Sequence, residues 1–300
     1  MVTKQQIIDG LRELGLSEGD TVIVHSSLSS FGEVEGGADC VVDALLETIG
    51  AEGTLIVPTF NYDPGLFDKA ATPSVVGKIT ETVRLRPSAV RSSHPTHSVA
   101  AIGRLAEVIT ENHDKVDPFA RESALHKAAR VGAKILQLGV NNLSNSSIHV
   151  AEELARVPYL ERQRHVAIKL DNGKVIRKWI RMPGCSRGFD AVDELLDERN
   201  AVRELMIGDC IARLMDARTL IEVAFEMLQS DPAALLCERP ECGRCAESRA
   251  MIDATEAEKQ DRRITELAEE EESIRRQAEQ QLTGSVNFFA VESGDNISSN

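Results

Sequence analysis

No stretch of about 18 consecutive apolar residues occurs in this 300-residue chain, so no transmembrane helix is encoded. The opening stretch, MVTKQQIIDG, lacks the apolar core of a secretory signal and reads as the start of a helix. A soluble, cytoplasmic protein is expected. An excess of basic residues is also missing. Lys and Arg number 34 against 48 Asp and Glu, a net charge of -14, and half of that excess lies beyond residue 246. The electrostatic footprint of a nucleic-acid-binding protein is therefore absent. An acidic field favours cationic small molecules, although it also serves ordinary solubility. No glycine pattern of the P-loop or dinucleotide-binding type is present, and there is no internal repeat. The six cysteines are scattered at 40, 185, 210, 237, 242 and 245, and without a secretory segment they do not read as a disulfide framework.

What is present is an alternation of strands and helices. Residues 3 to 16 place Ile7, Ile8, Leu11 and Leu14 at helical spacing, and Gly15 can end the helix. Thr21 to His25 reads as a buried strand. A helix with Val41, Ala44, Leu45 and Ile49 on one face follows, and then the strand GTLIVPTF, residues 53 to 60. This order is the signature of an α/β fold. Helices are expected over 75 to 86, 104 to 113, 122 to 131, 191 to 199 and 209 to 230, with a strand at 133 to 138. His165 to Leu170 and Lys174 to Met182 alternate as two strands about the turn Asp171-Asn172-Gly173, a hairpin that joins the sheet or forms a side lobe.

The stretch GVNNLSNSSIHVAEE, residues 139 to 153, follows the strand at 133 to 138. A helix is expected to begin near Ser146 or Ser147, which puts His149 in its first turn, just past a strand end. Ligands of open α/β sheets bind there. His149 and Glu152 are three apart and share a helix face. Such a carboxylate holds an imidazole in one tautomer and supports general-base work, while a lone histidine is more often a hydrogen-bonded structural residue. The loop SSLSSFG, residues 26 to 32, offers hydroxyls at Ser26, Ser27, Ser29 and Ser30, and is equally an ordinary turn. Asn61, Asp63 and Asp68 form an acidic rim or a solvated loop. His94 and His97 lack a nearby cysteine or carboxylate to complete a metal set. Cys185, beside Arg187, is either a nucleophile or a bystander. Cys237, Cys242 and Cys245 have the spacing C-x4-C-x2-C. Three local thiols can hold zinc if a fourth ligand arrives, and they echo part of an iron–sulfur run. With only three ligands local, reduced thiols are favoured and no metal is assigned.

Taken in order, GDTVIVHSSLSSFG, GTLIVPTF, VGKITETVR, RSSHPTHSVAAIG, DPFARESALHKAARVGAKILQLGV, SSIHVAEE and PGCSRGF resemble the aminoglycoside 3-N-acetyltransferase family over residues 1 to 245. The resemblance implies a three-layer α/β/α sandwich with a central mixed sheet. It implies direct transfer of acetyl from acetyl-coenzyme A to an amine of an aminoglycoside, a cationic small molecule, with no metal required and a homodimer as one possible assembly. His149 would be the general base and Glu152 its partner. Ser26, Ser27, Leu28, Ser29, Phe31 and Gly32, with Arg91, Ser92, His94 and Ser98, would hold the coenzyme. Asp63, Asn141 and Asn142 would meet the acceptor. Residues 246 to 282 read as a charged helical extension and 283 to 300 as a disordered tail. The chain departs from the pattern at Ala120, at Ser123-Ala124-Leu125, and at Leu143, where many relatives have an Asp. Three alternatives stay open: another amine as acceptor, a non-catalytic binding or assembly protein, and a covalent acyl-enzyme on Cys185.

Overall fold

A computed structural model describes residues 1–62 and 65–291. The chain divides into a unit Met1–Arg249 and a second unit Ala250–Asn300. In chain order the elements are α1 (Lys4–Leu14), β1 (Thr21–Ser26), α2 (Gly37–Ile49), β2 (Thr54–Pro58), β3 (Leu66–Asp68), α3 (Lys78–Leu85), β4 (Val90–Arg91), β5 (Val99–Gly103), α4 (Ala106–Thr110), α5 (Ala124–Arg130), β6 (Lys134–Leu138), α6 (Ile148–Ala155), β7 (Gln163–Lys169), β8 (Val175–Arg181), α7 (Asp193–Glu198), β9 (Val202–Ile207), β10 (Cys210–Asp216), α8 (Ala217–Ser230) and α9 (Gly243–Val291). The start of α1 is fixed by a capping box. The Thr3 hydroxyl accepts the Gln6 N–H, and the Gln6 side chain accepts the Thr3 N–H. Gly15 stops the helix at φ 109°, a conformation that favours glycine. Between these ends Ile7, Ile8, Leu11 and Leu14 are buried, each worth about 1.5–3 kcal/mol of transfer free energy.

The strands form a seven-stranded sheet in the order β4-β5-β2-β1-β6-β10-β9. At its centre β1 runs parallel to β2 and β6, with Ile23 opposite Ile56 and Ile135. The outer pairs are antiparallel. Alternation along the central strands divides the core between two faces. Val22, Val24, Leu55, Val57, Leu136 and Leu138 join Leu11, Val41, Leu45 and Val83 in one apolar cluster beneath α1, α2 and α3. Ile23, Ile56 and Ile135 point the other way and are fully buried as well. On that side α5 packs against β1, and α8 against α5 and α6. The result is the expected three-layer sandwich with a mixed sheet. The hairpin β7–β8 pairs with β3 in a separate three-stranded sheet with its own core of Phe67, Val166, Ile168 and Ile180, so it is a side lobe.

Residues 202–216 correct the sequence reading. The single helix expected over 209 to 230 is a strand, β10, followed by the helix α8, and β9 was not anticipated. Gly208 turns the hairpin at φ +61°. Along β10, Cys210, Ala212 and Leu214 are buried while Ile211 is exposed, a period of two that fits a strand rather than a helix. Asp216 then caps α8 by accepting the Thr219 N–H at 2.8 Å. At the other end of the chain α9 continues past 283, where the tail was expected to begin, and residues 292–300 lie outside those described. No helix among the described residues is long and apolar enough to cross a membrane.

Candidate active site

The parallel strands β1, β2 and β6 end side by side, and a cavity of about 990 Å³ opens beyond their carboxyl ends. This is the position the topology of an open α/β sheet reserves for ligands. Its floor includes His25 and Ser26 from the end of β1 and Pro58 from the end of β2. Val140, Leu143 and Ser144 come from the loop after β6, and His149 from α6. The walls are aromatic at Phe60, Tyr62 and Phe119, and are closed by residues 182–187 and 241–244.

Ser147 is the N-cap of α6, so His149 occupies the first turn. The imidazole Nδ1 lies 2.6 Å from Oε2 of Glu152, and the Tyr159 hydroxyl donates to Oε1 of the same carboxylate at 2.9 Å. Glu152 is fully buried. Burial, with the Glu152 charge beside it, raises the Tyr159 phenol well above its ordinary value, so the phenol stays a donor. A carboxylate at Nδ1 favours the tautomer with its proton on that nitrogen, in which the lone pair is on Nε2. The ring is held between Phe119, stacked at 4.8 Å, and the edge of Phe189 at 4.7 Å. A Cβ on Gly184 would lie 3.3 Å from both Glu152 Oε1 and the Tyr159 ring, so the loop over 183–188 rests directly on the dyad.

The expected coenzyme residues separate into groups. Ser26 lines the cavity, and its buried hydroxyl has no hydrogen-bond partner among the described residues. Ser27 and Ser29 share a hydrogen bond of 3.1 Å in a 3-10 turn over Leu28–Phe31. Leu28 and Phe31 pack into the core beneath α1 and α2 rather than toward the cavity. Gly32, at φ +71°, approaches Asp209, whose Oδ2 would meet a Cβ at 2.7 Å. Ser30 lines a second cavity of about 570 Å³ that shares Val140 and Ser144 with the first.

Arg91, Ser92, His94 and Ser98 do not line either cavity and form a buried network instead. Arg91 donates to Thr59 O at 2.8 Å, to Ser98 Oγ and Lys69 O at 3.1 Å, and to Thr72 O, with its guanidinium over the Phe67 ring. It therefore joins the edge of the main sheet to the side lobe. Burial draws its pKa down to about 10. Ser92 shares a hydrogen bond with His113 Nδ1 at 3.0 Å, and His94 Nδ1 accepts the His97 N–H at 3.0 Å.

The acceptor residues also diverge. Asn142 is buried, accepting from Gln137 at 2.9 Å and donating to Asp193 at 2.9 Å, and Arg213 completes that network at 2.7 Å from Asp193. Asn141 accepts the Leu143 N–H and lines the second cavity. Asp68 pairs with Lys169 at 2.7 Å in the side lobe, and Asp63 lies outside the described residues. Sequence reasoning missed His25, Phe119 and Tyr159, and weighed His97 only as a metal ligand. His25 carried a signal, as the last apolar-strand residue before a hydroxyl-rich loop. Tyr159 carried none, because only folding brings it onto Glu152.

Cys185 joins Cys237, Cys242 and Cys245, all buried, with their sulfur atoms within 4.8 Å of one another. Burial pushes the Cys185 thiol up, against the demands of a nucleophile.

Comparison with known proteins is consistent across sequence and structure. Residues 23–229 match the profile of the aminoglycoside 3-N-acetyltransferase family. Aminoglycoside N(3)-acetyltransferase IV from Salmonella sp is 32% identical over 255 residues, covering 83% of this chain and 96% of that protein. The crystal structure of aminoglycoside acetyltransferase AAC(3)-IVa, a histidine-to-alanine variant in complex with a gentamicin, superposes with a TM-score of 0.77 at 31% identity, covering 84% of this chain and 98% of that one. A structure of AAC-IIIb with CoASH has a TM-score of 0.69 at 24% identity, covering 76% and 96%, and shares the fold. With the family profile spanning most of the sandwich and a full-length relative beside it, this chain belongs to the aminoglycoside 3-N-acetyltransferase family of acetyltransferases.

Proposed function

We propose that the chain moves acetyl from acetyl-coenzyme A to an amine of an aminoglycoside by direct transfer, with His149 as general base. The observation that carries this reading is the chain His149–Glu152–Tyr159 at the cavity wall. In the reaction Nε2 takes a proton from the acceptor nitrogen as that nitrogen attacks the thioester carbon. The new N–C bond forms, the C–S bond breaks, and the coenzyme thiolate leaves. Glu152 accompanies the proton by stabilising the imidazolium, and Tyr159 holds Glu152 in place. The Ser26 hydroxyl, buried at the cavity lining and unpartnered among the described residues, would donate to the thioester oxygen on turning toward it as charge develops there. The AAC(3)-IVa relative is seen with an aminoglycoside and AAC-IIIb with CoASH, which supports both substrate classes.

One observation favours a second acceptor. Among the described residues, Arg162, Arg187 and Arg244 line the cavity with Glu241 as the carboxylate beside them, and Leu143 stands on the wall at the position where the family resemblance implies an Asp. Guanidinium groups suit the phosphates of a coenzyme and oppose a polycationic sugar. An amine with fewer charges is the alternative acceptor. A thiol-release assay with acetyl-coenzyme A, run over aminoglycosides and singly charged amines, separates the two. Turnover with an aminoglycoside, lost in His149→Ala, supports the first reading. Turnover only with simpler amines, lost in the same variant, moves the acceptor and keeps the mechanism. Undiminished turnover in His149→Ala, or no binding of the coenzyme, refutes the site.

A further inference from the structure

We propose that Cys185, Cys237, Cys242 and Cys245 bind one zinc ion as a closed tetrahedral thiolate centre in the cavity wall. The sequence supplied three of these ligands, and folding supplies the fourth. Cys185 comes from the loop after β8, Cys237 from the segment after α8, and Cys242 and Cys245 bracket the start of α9. Their four sulfur atoms lie within 4.8 Å of one another, with Cys237–Cys245 at 3.5 Å and Cys185–Cys242 at 3.7 Å. A tetrahedron with Zn–S bonds of about 2.3 Å has edges of about 3.8 Å, so the four thiols already outline one. The space encloses a single ion and not a cluster of irons.

Local backbone supports the same reading. Cys242-Gly243-Arg244-Cys245 is a C-x2-C pair, and the Cys245 N–H points to the Cys242 sulfur. The Arg187 N–H does the same for Cys185, and the Cys237 N–H for Cys245. Such N–H···S bonds orient and charge-stabilise ligating thiolates. Gly188 lets the two chains meet, since a Cβ there would fall 2.8 Å from Cys237 N and Leu235 O. Four sulfurs and no open position mark a structural ion rather than a catalytic one. Zinc is favoured by soft ligands in this geometry, and its binding releases the thiol protons. The ion would clamp the loop that rests on the Glu152 carboxylate to the segment that carries Glu241 and Arg244 into the cavity. This goes beyond the proposed transfer reaction and does not depend on it.

Metal content of the full chain, purified under reducing, metal-free conditions, tests the proposal. About one zinc per chain is expected. Reconstitution with Co²⁺ should give a thiolate-to-cobalt charge-transfer band and the intense visible bands of a tetrahedral site. Cys185→Ser and Cys242→Ser should each weaken zinc binding by at least about tenfold, while Cys40→Ser and Cys210→Ser, outside the cluster, keep it. Because a variant can fail to fold, the cobalt spectrum of the unaltered chain decides on its own. Absence of stoichiometric zinc, iron in its place, a cobalt spectrum without thiolate bands, or disulfides pairing these four residues in freshly quenched protein overturns the assignment.

Discussion

Replacing Glu152 by Gln separates a carboxylate that directs proton traffic from one that merely fills space. The change is isosteric, so packing is preserved. Tyr159 donates to Oε1 and His149 Nδ1 faces Oε2. The buried phenol needs an acceptor, so the amide oxygen of the new side chain is held at the Oε1 position. Its nitrogen then faces Nδ1 and donates to it. Nδ1 becomes the acceptor, the ring proton moves to Nε2, and the lone pair that should take the acceptor's proton is lost. Turning the amide over restores that lone pair but leaves the Tyr159 O–H proton without its acceptor, at about 1–3 kcal/mol, or roughly fivefold to 150-fold in rate. Losing the negative charge opposite the imidazolium adds to this. A drop in kcat/KM of about 10²–10⁴ is expected in the thiol-release assay. The double variant Glu152→Gln with Tyr159→Phe removes the bias on the amide and should recover about tenfold over Glu152→Gln alone. Activity of Glu152→Gln within about threefold of the unaltered enzyme, or a double variant no faster than the single, refutes the reasoning.

Two further outcomes follow from groups outside the dyad. Burial holds His25 and His113 neutral, each with its pKa drawn from 6.5 down to about 4. Each binds a proton more readily unfolded than folded, so this stability is complete above pH 6.5 and is lost as pH falls toward 4. The loss is up to about 3 kcal/mol per histidine, and urea midpoints between pH 7 and 4.5 should fall accordingly. A midpoint flat across that window contradicts it. Arg91→Met should lower stability by about 3–5 kcal/mol, because the buried carbonyls of Thr59 and Thr72 and the half-buried carbonyl of Lys69 lose a charged donor together. A thermal melt unchanged from the unaltered chain would show that the network is dispensable.

Much of the sandwich was legible because its central strands are continuous apolar runs with turn residues at their ends, as in Thr21 to His25 and 133 to 138. His149 and Glu152 were legible for a similar reason: a three-residue spacing in a helix beyond a strand end places both groups on one face. The hairpin β9–β10 was not. Its outer strand shows Arg203, Glu204 and Met206 to solvent and carries too little apolar alternation to announce itself. The segment from Arg91 to Ser98 is polar in sequence, but polarity does not say whether a group faces a ligand or the interior. Arg91 faces carbonyl oxygens, and Asn142 likewise spends its amide on Gln137 and Asp193. The fourth thiol, Cys185, lies far upstream of the other three, and no local spacing could assign it to them.

On the proposed mechanism, the base is set apart by the placing of one carboxylate rather than by excluding the other histidines from the site. His25 and His97 also line the cavity, and His94 and His113 stand behind them. Burial pushes all four down, so each is a neutral imidazole near neutrality. His113 spends both ring nitrogens, on Ser92 and on Pro118 O, and His94 Nδ1 accepts backbone N–H groups of its own turn. His97 Nδ1 meets the Thr96 hydroxyl, which cannot balance an imidazolium charge. Among the described residues, His149 is the one of these five histidines with a carboxylate on a ring nitrogen, at Nδ1, and that carboxylate is itself held by Tyr159 and approached closely by Gly184. Gly184 is bonded directly to Cys185, so whatever holds the four thiols together also bears on the backbone that rests on the Glu152 carboxylate.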